Sequence, residues 1–205
     1  GFSFKMNQVE ISEFENTFEY EETIDQKNAI NETYMDMQKI KPMDRLICGD
    51  VGFGKTEIAL RASYLSCINS KQTILVAPTT LLAHQHFNTF SKRFKDFPVR
   101  VESISRFTKT KKLEETLADL SSGRIDILIG THKALSEKIK LGNLGLIIID
   151  EEHKFGVSAK EKIKQLKKGV DSLSISATPI PRTLQLSLTG LREISLISTP
   201  PKERL

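Results

Sequence analysis

The sequence predicts an α/β fold of three layers, in which helices cover both faces of a mainly parallel β-sheet. Short, nearly continuous apolar runs alternate with longer segments of helical periodicity along most of the chain. Strands that alternate with helices in this way form parallel sheets through right-handed crossovers. The chemically suggestive segments directly follow the apolar runs, and ligands of such sheets bind at the carboxyl ends of the strands.

The elements follow from local patterns. The predicted strands are residues 45–48, 73–77, 99–104, 125–129, 144–149, 172–176 and 194–197. The predicted helices are residues 24–39, 55–69, 79–94, 109–121, 157–168 and a segment that ends near residue 190. Thr23 is a candidate N-cap for the first of these helices, and Pro42 follows its end. In the helix over 55–69, apolar residues spaced three and four apart predict one buried face.

The chain divides into three parts. Residues 1–20 are polar and acidic and are predicted to be a lead-in or linker, with a short amphipathic helix around Val9, Ile11 and Phe14 as one possibility. Residues 21–197 form the predicted domain, and residues 198–205 begin a predicted exit linker. The sequence leaves open whether residues 1–20 pack on the domain.

Composition sets broad limits on function. The 205 residues are 39% hydrophobic and 27% charged, as in ordinary globular proteins. No apolar run approaches the roughly 20 residues that a membrane helix needs, and no signal peptide opens the chain. Cys48 and Cys67 are interpreted as reduced thiols rather than a disulfide or a metal pair, which predicts a cytoplasmic protein. The net charge of +4 does not by itself decide for nucleic-acid binding.

A phosphate-binding loop lies between the first predicted strand and the next helix. It consists of Gly49, Asp50, Val51, Gly52, Phe53, Gly54, Lys55 and Thr56, and it matches the pattern G-x-x-x-x-G-K-[ST]. Glycines let the backbone curl so that successive N–H groups point at phosphate oxygens. The helix that follows adds its positive end. Lys55 is predicted to reach the outer phosphates, and Thr56 to ligate a magnesium ion.

Two acids follow the most apolar strand. Asp150 is predicted to hold magnesium opposite Thr56, and Glu151 to orient and deprotonate the water that attacks the terminal phosphate. An acidic loop that caps the next helix is the alternative, which the phosphate loop upstream disfavours. Lys55, Asp150 and Glu151 are therefore the candidate catalytic residues.

Other polar residues lie at the remaining strand ends and at one helix start. The predicted nucleic-acid contacts are Thr79, Thr80, Arg106, Thr131, His132 and Lys133, because helix starts and cations suit phosphates. Helix capping is their alternative role. Gln26 is a candidate adenine contact, or a surface glutamine. Ser176 and Thr178 are expected to hydrogen-bond the catalytic acids, and His153 to couple with them. His84 and His86 point to different helix faces and do not suggest a metal site.

Taken together, these segments resemble the first motor domain of superfamily-2 helicases and translocases, over nearly the whole chain from about residue 20. The resemblance implies a RecA-like P-loop NTPase fold that binds ATP and Mg²⁺. Residues 49–56 and 150–153 correspond to its Walker A and Walker B motifs, and Gln26 to its adenine-reading glutamine. It implies DNA contacts at residues 78–86, 106–107 and 130–133, and coupling of hydrolysis to movement at residues 176–178.

Within the superfamily, the strings G-D-V-G-F-G-K-T, D-E-E-H-K-F-G-V and A-T-P-I-P-R-T-L resemble bacterial translocases that couple transcription to DNA repair. RecG-like branch-migrating helicases are the alternative, but they more often carry serine at Phe53 and glutamine at Glu152. The resemblance implies a double-stranded-DNA translocase that acts on stalled RNA polymerase, with excision-repair proteins as partners of other parts of the protein.

One further expectation, with two disfavoured alternatives, concerns activity. The chain lacks a second motor domain with its arginine fingers, which are typically worth about 10³–10⁵ in rate, so the 205 residues alone are predicted to hydrolyse ATP hardly at all. A nucleotide-binding regulatory domain without motor activity is the alternative from another functional class, which the intact acids disfavour. A P-loop kinase is disfavoured because nothing resembles an acceptor site or lid.

Overall fold

The computed structural model describes residues 1–52, 54–178, 192–200 and 202–203, and its centre is a seven-stranded sheet in which all pairings are parallel. The sheet strands are β2 (Asp44–Gly49), β3 (Gln72–Val76), β4 (Val101–Ile104), β5 (Ile127–Gly130), β6 (Leu144–Asp150), β7 (Asp171–Ser176) and β8 (Glu193–Ile197), in the spatial order β4-β5-β3-β6-β7-β2-β8. A separate antiparallel pair joins β1 (Tyr20–Glu21) to β9 (Lys202–Glu203).

Helices cover both faces of the sheet. The described α-helices are α1 (Gln8–Glu15), α2 (Ile24–Met37), α3 (Lys55–Ile68), α4 (Thr80–Arg93), α5 (Thr110–Ser121) and α6 (Val157–Leu166), and short 3₁₀ helices span His132–Leu135 and Glu152–Lys154. One hydrophobic core contains residues of α1 to α4, and the other contains residues of α5 and α6. In strands β3, β5 and β6, alternate residues such as Ile148 and Ile149 enter opposite cores. The predicted three-layer α/β fold is therefore confirmed.

Helix α3 differs from its prediction. Its consecutive residues from Glu57 to Ser66 are all buried, whereas the sequence pattern predicts one buried face. Helix α3 contacts α1, α2 and the sheet, so it has neighbours on several sides. Its polar residues are consequently paired inside the protein. Arg61, only 1% exposed, forms ion pairs with Glu57 at 3.0 Å, Glu15 at 3.2 Å and Glu22 at 2.7 Å.

The first twenty residues pack on the domain. Phe14 of α1 stacks against Tyr64 and Phe94, with ring centroids 4.6 and 4.9 Å away. Ile11 joins the same core. Val9, which the sequence suggests for the same apolar face, is 69% exposed. Two helical residues turn by about 200°, so Val9 points away from the face that holds Ile11 and Phe14.

Most predicted boundaries agree with the structure to within about two residues. The capping residue Thr23 accepts a hydrogen bond from the Gln26 N–H, as its position predicts. Lys202–Glu203, in the segment predicted as an exit linker, forms β9. The predicted helix that ends near residue 190 lies outside the described residues. Within the part of the chain that the structure describes, every helix is too short or too polar to cross a membrane.

Candidate functional site

The phosphate loop has the backbone that its sequence predicts. It leaves β2 at Gly49, and Gly52 and Gly54 both adopt φ of 84°, a conformation that favours glycine. Gly54 is the N-cap of α3, so the positive end of this helix begins at the loop. At Gly49, a Cβ atom would lie 3.0 Å from the Ile197 carbonyl oxygen, so β8 leaves little room for a side chain there. Phe53 lies outside the described residues.

Lys55 turns back over the loop. Its Nζ donates hydrogen bonds to the carbonyl oxygens of Gly49 at 2.5 Å and Asp50 at 2.9 Å. Burial lowers the pKa of the Lys55 ammonium, while the nearby carboxylates of Glu151 and Asp150 act to raise it. The lysine therefore lies within electrostatic reach of both acids. Thr56 follows it in the first turn of α3 and is half-buried.

The two predicted catalytic acids end β6. Asp150 is its last residue, and Glu151 follows in the left-handed region, with φ of 48° and ψ of 54°. This conformation is uncommon for a residue other than glycine and is held by tertiary contacts. The Glu151 N–H donates to the Ile175 carbonyl oxygen at 2.9 Å. The turn aims the Glu151 side chain at the end of β7.

The Glu151 carboxylate is fixed by the residues after β7. It accepts hydrogen bonds from the Ala177 N–H at 2.7 Å and the Ser176 hydroxyl at 3.2 Å. His153 Nε2 lies 3.5 Å from the same carboxylate and 3.4 Å from the Thr178 hydroxyl. The hydrogen bond expected between Ser176 and a catalytic acid is present. The Thr178 hydroxyl lies beside His153 instead, so among the described residues the bond expected from Thr178 to an acid is not formed. The three predicted coupling residues nevertheless form one cluster around Glu151.

The sequence reasoning gives His86 a role only within the DNA-contact segment 78–86, whereas the structure places it beside a predicted catalytic acid. Its Nε2 lies 2.6 Å from Asp150 Oδ2, and both side chains are 10% exposed. His84, two residues away, is exposed, so the two histidines do occupy different faces. The available signal was the shared face of Ala83, His86 and Phe90, the buried residues of α4. A histidine on a buried face needs a polar partner.

Gln26 is not a surface glutamine. It is buried at the third position of α2, and its side-chain oxygen accepts a hydrogen bond from the Thr23 N–H at 3.0 Å. This reciprocal pair is a capping box. One end of the amide therefore orders the start of α2, and its role as an adenine contact stays a prediction.

The predicted nucleic-acid contacts follow β3, β4 and β5. Most of these residues are exposed, namely Thr79, Thr80, Arg106, His132 and Lys133. Thr79 also caps α4 by accepting a hydrogen bond from the Leu82 N–H at 3.2 Å. The Arg106 guanidinium lies over the exposed Phe107 ring, 4.7 Å from its centroid. Thr131 is buried, in contrast to the two residues that follow it.

A groove borders this group. It has a volume of about 360 Å³, and its lining includes Pro78, His132, Phe155, Lys154 and Lys162. Both lysines are exposed. They add positive charge beside His132 that the motif-based reasoning did not single out. A signal was present in the sequence, because the helix over 157–168 is strongly basic.

Strand order separates these residues into two halves of the carboxyl edge. The nucleotide half comprises the ends of β6, β7 and β2, and the exposed half comprises the ends of β4, β5 and β3. The halves meet where β3 pairs with β6. His86, on the helix that follows β3, contacts Asp150 at the end of β6 across this junction.

The oxygen donors of the nucleotide half suit magnesium. Among the described residues, no group of three or more His, Cys, Asp or Glu side chains could hold a metal ion alone. Mg²⁺ in nucleotide sites takes one or two protein oxygens, with phosphates and waters completing the shell. The Thr56 hydroxyl and the Asp150 carboxylate fit that requirement as hard oxygen ligands.

Comparison with known proteins agrees with this geometry. The family model for DEAD/DEAH box helicases matches residues 23–187. The chain belongs to the DEAD/DEAH box helicase family. This family implies nucleotide binding and an ATP-dependent helicase or translocase class. The match contains the phosphate loop, the acids at the end of β6 and the predicted contacts after β3, β4 and β5.

Curated relatives and solved structures narrow the resemblance. The chain is 54% identical over its full length to the transcription-repair-coupling factor of Haemophilus influenzae and 51% identical to that of Escherichia coli, and it spans 18% of each. Among solved structures, RecG bound to a three-way DNA junction has a TM-score of 0.87 at 36% identity, covering 98% of this chain and 27% of that one. A DEAD-box helicase, Mss116, shares the fold, with a TM-score of 0.70 at 17% identity over 95% of this chain and 43% of its own.

Proposed function

We propose that this chain is the first, ATP-binding motor domain of a double-stranded-DNA translocase that couples transcription to DNA repair. The main support for the proposal is that the phosphate loop and the hydrogen-bonded Glu151 carboxylate lie at the same edge of the sheet. The loop leaves β2 and the acids lie at the end of β6, two strands that both pair with β7, and Glu151 is held by Ser176 and Ala177. A nucleotide seated on the loop places its outer phosphates beside these acids.

Each residue of the nucleotide half has a proposed task. The loop amides and the N-terminal end of α3 bind the phosphates. Lys55 exchanges its hydrogen bonds with the loop carbonyls for the outer phosphate oxygens. Thr56 and Asp150 hold Mg²⁺, which neutralises charge on the phosphates when bound. Glu151 orients the attacking water and accepts its proton. Gln26 contacts the adenine.

The exposed half is the proposed DNA track. Helix starts and cations contact phosphates and position a duplex without reading its sequence. The threonines that open α4, together with Arg106, His132 and Lys133, supply these contacts. The Thr131 carbonyl oxygen accepts a hydrogen bond from the Ala134 N–H at 2.9 Å that closes the turn carrying the last two. The groove lysines extend the positive surface. RecG, to which the chain is similar, is bound to DNA in its solved structure.

The proposed action on stalled RNA polymerase is supported by the curated relatives that the chain resembles. The chain is 51–54% identical over its whole length to transcription-repair-coupling factors. The name of these relatives is the reason for proposing RNA polymerase and excision-repair proteins as partners. These partners bind parts of the full-length protein outside these residues. A RecG-like branch-migrating helicase is the second candidate, supported by the TM-score of 0.87. The lower identity of 36% makes it the less favoured one.

DNA-stimulated hydrolysis by the full-length protein tests the proposal. Lys55→Ala should reduce ATP hydrolysis in the presence of duplex DNA by at least about 100-fold, because the phosphates lose their cation. The isolated 205 residues should turn over ATP hardly at all, because motors of this proposed class take their arginine fingers from a second motor domain. Lys92→Ala, an exposed lysine of α4, is the matched control and should leave turnover unchanged.

Two results would contradict the proposal. Full-length protein that binds ATP but hydrolyses it at one rate with and without DNA would favour a regulatory domain. Steady turnover by the isolated 205 residues, abolished by Lys55→Ala, would overturn the need for a second domain. Polymerase displacement from a stalled complex, measured with the same variants, separates the coupling function from branch migration of a DNA junction.

A further inference from the structure

The junction between the two halves of the carboxyl edge is bridged by one buried polar contact. His86 Nε2 lies 2.6 Å from Asp150 Oδ2. An ionised carboxylate can only accept hydrogen bonds, so the imidazole N–H donates. Hydrogen bonds to charged groups are about twice as strong as neutral ones. Both side chains are 10% exposed, so this bond competes little with water.

The position of His86 is fixed by its own helix and by the core. Its ring meets the Phe90 ring edge-on, with centroids 6.5 Å apart and an interplanar angle of 88°. Phe90 is fully buried in the larger core. The imidazole therefore has little freedom to move without α4. The orientation of the Asp150 carboxylate is consequently tied to the position of this helix.

Helix α4 begins at the exposed half. Thr79 caps it and Thr80 opens it, and both are proposed DNA contacts. His86 lies six residues after Thr80, which corresponds to about 9 Å along a helix axis. A rigid helix of this length carries a displacement of its first turn to the imidazole. The path from the proposed DNA track to the proposed magnesium ligand thus contains one helix and one hydrogen bond.

We propose that His86 is a positioning residue that holds the Asp150 carboxylate in place for magnesium and links it to the DNA-contacting start of α4. The inference rests on the proposed function, because it assigns magnesium to Asp150 and DNA to α4. Outer-shell partners of metal ligands typically change metal affinity by about 10–100-fold when they are removed. Linkage is reciprocal, so DNA and Mg·nucleotide affinities change together through the same contact.

The test compares nucleotide affinity with and without magnesium in the full-length protein. A fluorescent ADP analogue is titrated in Mg²⁺ and in EDTA, for wild type, His86→Leu, His86→Gln and the control Thr89→Leu. His86→Leu should lose about 10-fold or more of its affinity in Mg²⁺ and none in EDTA. His86→Gln keeps a side-chain N–H donor and should recover part of the loss. Thr89→Leu alters an exposed residue of the same helix and should behave as wild type.

A second arm measures the link to DNA. Wild-type protein should bind a fluorescent duplex with different affinities in the presence and absence of Mg·nucleotide, and His86→Leu should reduce that difference at least about threefold. In an Asp150→Asn background, His86→Leu should cause no further change in magnesium dependence, because the carboxylate that would hold magnesium is already replaced. Thermal melts show whether each variant is folded; if His86→Leu is not, His86→Gln, alone and combined with Asp150→Asn, decides the question.

The outcomes separate this inference from the proposed function. Equal losses by His86→Leu in Mg²⁺ and in EDTA would show a purely structural role and overturn the inference. Full magnesium dependence in a folded His86→Leu protein would overturn it as well. Absence of nucleotide binding by wild type, or binding that Lys55→Ala leaves unchanged, would instead overturn the proposed function.

Discussion

The two halves of the carboxyl edge hold their polar groups in opposite ways. In the nucleotide half, Glu151 is 8% exposed, and its carboxylate accepts hydrogen bonds from Ser176 and Ala177. In the exposed half, His132 and Lys133 follow β5 with their surfaces open to solvent. Both sets of residues follow parallel strands of the same sheet. The difference therefore lies in the segments after the strands, not in the scaffold.

This difference matches the proposed ligands. A terminal phosphate is small, and hydrolysis requires groups aligned within a fraction of an ångström, which buried and mutually bonded side chains provide. A DNA backbone is long and repeating, and exposed cations that contact phosphates position it without a shaped cavity. The nucleotide half is thus organised before its ligand arrives, whereas the exposed half can adjust to its ligand.

Glu151→Gln is expected to have the largest effect and tests whether the nucleotide half is built for chemistry. The amide keeps an oxygen for the Ala177 N–H but is a poor base. DNA-stimulated hydrolysis by the full-length protein should fall by about 10²–10⁴-fold, while ATP affinity changes less than about threefold. Steady-state turnover and fluorescent-nucleotide titration measure the two quantities. Glu152→Gln, one residue later, is the control; turnover in Glu151→Gln within tenfold of wild type would remove Glu151 from this role.

The fold and most of the nucleotide half could be predicted from sequence because their signals are local. Apolar runs and helical periods located the strands and helices to within about two residues. The phosphate loop needs glycines at positions of positive φ and a helix start, and both requirements are visible in a stretch of eight residues. The acids were located because they directly follow the apolar strand that ends at Asp150.

The contacts that escaped prediction are those between distant parts of the chain. His86 and Asp150 are separated by 64 residues, and strand order alone brings them together. The burial of α3 on all sides depends on α1, which packs from the lead-in segment. Arg61 in particular gives no local sign that Glu15 and Glu22 are its partners. The spacing of apolar residues in a helix indicates one buried face, but it does not indicate how many other elements pack against that helix.

The amino ends of the strands, opposite the carboxyl edge, also hold a buried polar group and can be compared with the nucleotide half. Asp171 begins β7, the strand whose other end carries Ser176. Its Oδ1 accepts a hydrogen bond from the Met43 N–H at 2.8 Å, and its buried Oδ2 has no hydrogen-bond partner among the described residues. Burial raises the pKa of Asp171 to about 7. Polar burial at this edge is therefore costly, whereas at the carboxyl edge it is compensated by several bonds.

The raised pKa of Asp171 predicts that the free energy of unfolding falls as pH rises. Its folded pKa is above its unfolded value, so its contribution is full below about pH 4 and is lost as pH rises through about 7. Between pH 5 and 8 the free energy of unfolding should fall by about 2–3 kcal/mol from this group. Urea denaturation at several pH values should show this slope in wild type and a flatter one in Asp171→Asn. The exposed Asp96→Asn should keep the wild-type slope, and an unchanged slope in Asp171→Asn would refute the assignment.

The smallest expected effect tests the exposed half. Arg106→Ala combined with Lys133→Ala removes two exposed cations and no buried contact. Duplex-DNA affinity of the full-length protein should fall about tenfold near 0.1 M salt, and the slope of log affinity against log salt should decrease in magnitude by about 2. Nucleotide affinity without DNA should not change, because the nucleotide half is held by its own bonds.

The control for this variant removes a cation from the opposite edge. Helix α4 runs back from the carboxyl edge, so Lys95, which follows its end, lies near the amino ends of the strands. Lys95→Ala should leave both the DNA affinity and the salt slope nearly unchanged. If it weakened DNA binding as much as the double variant does, the positive charge of the whole surface would account for binding, and the exposed half would lose its separate role.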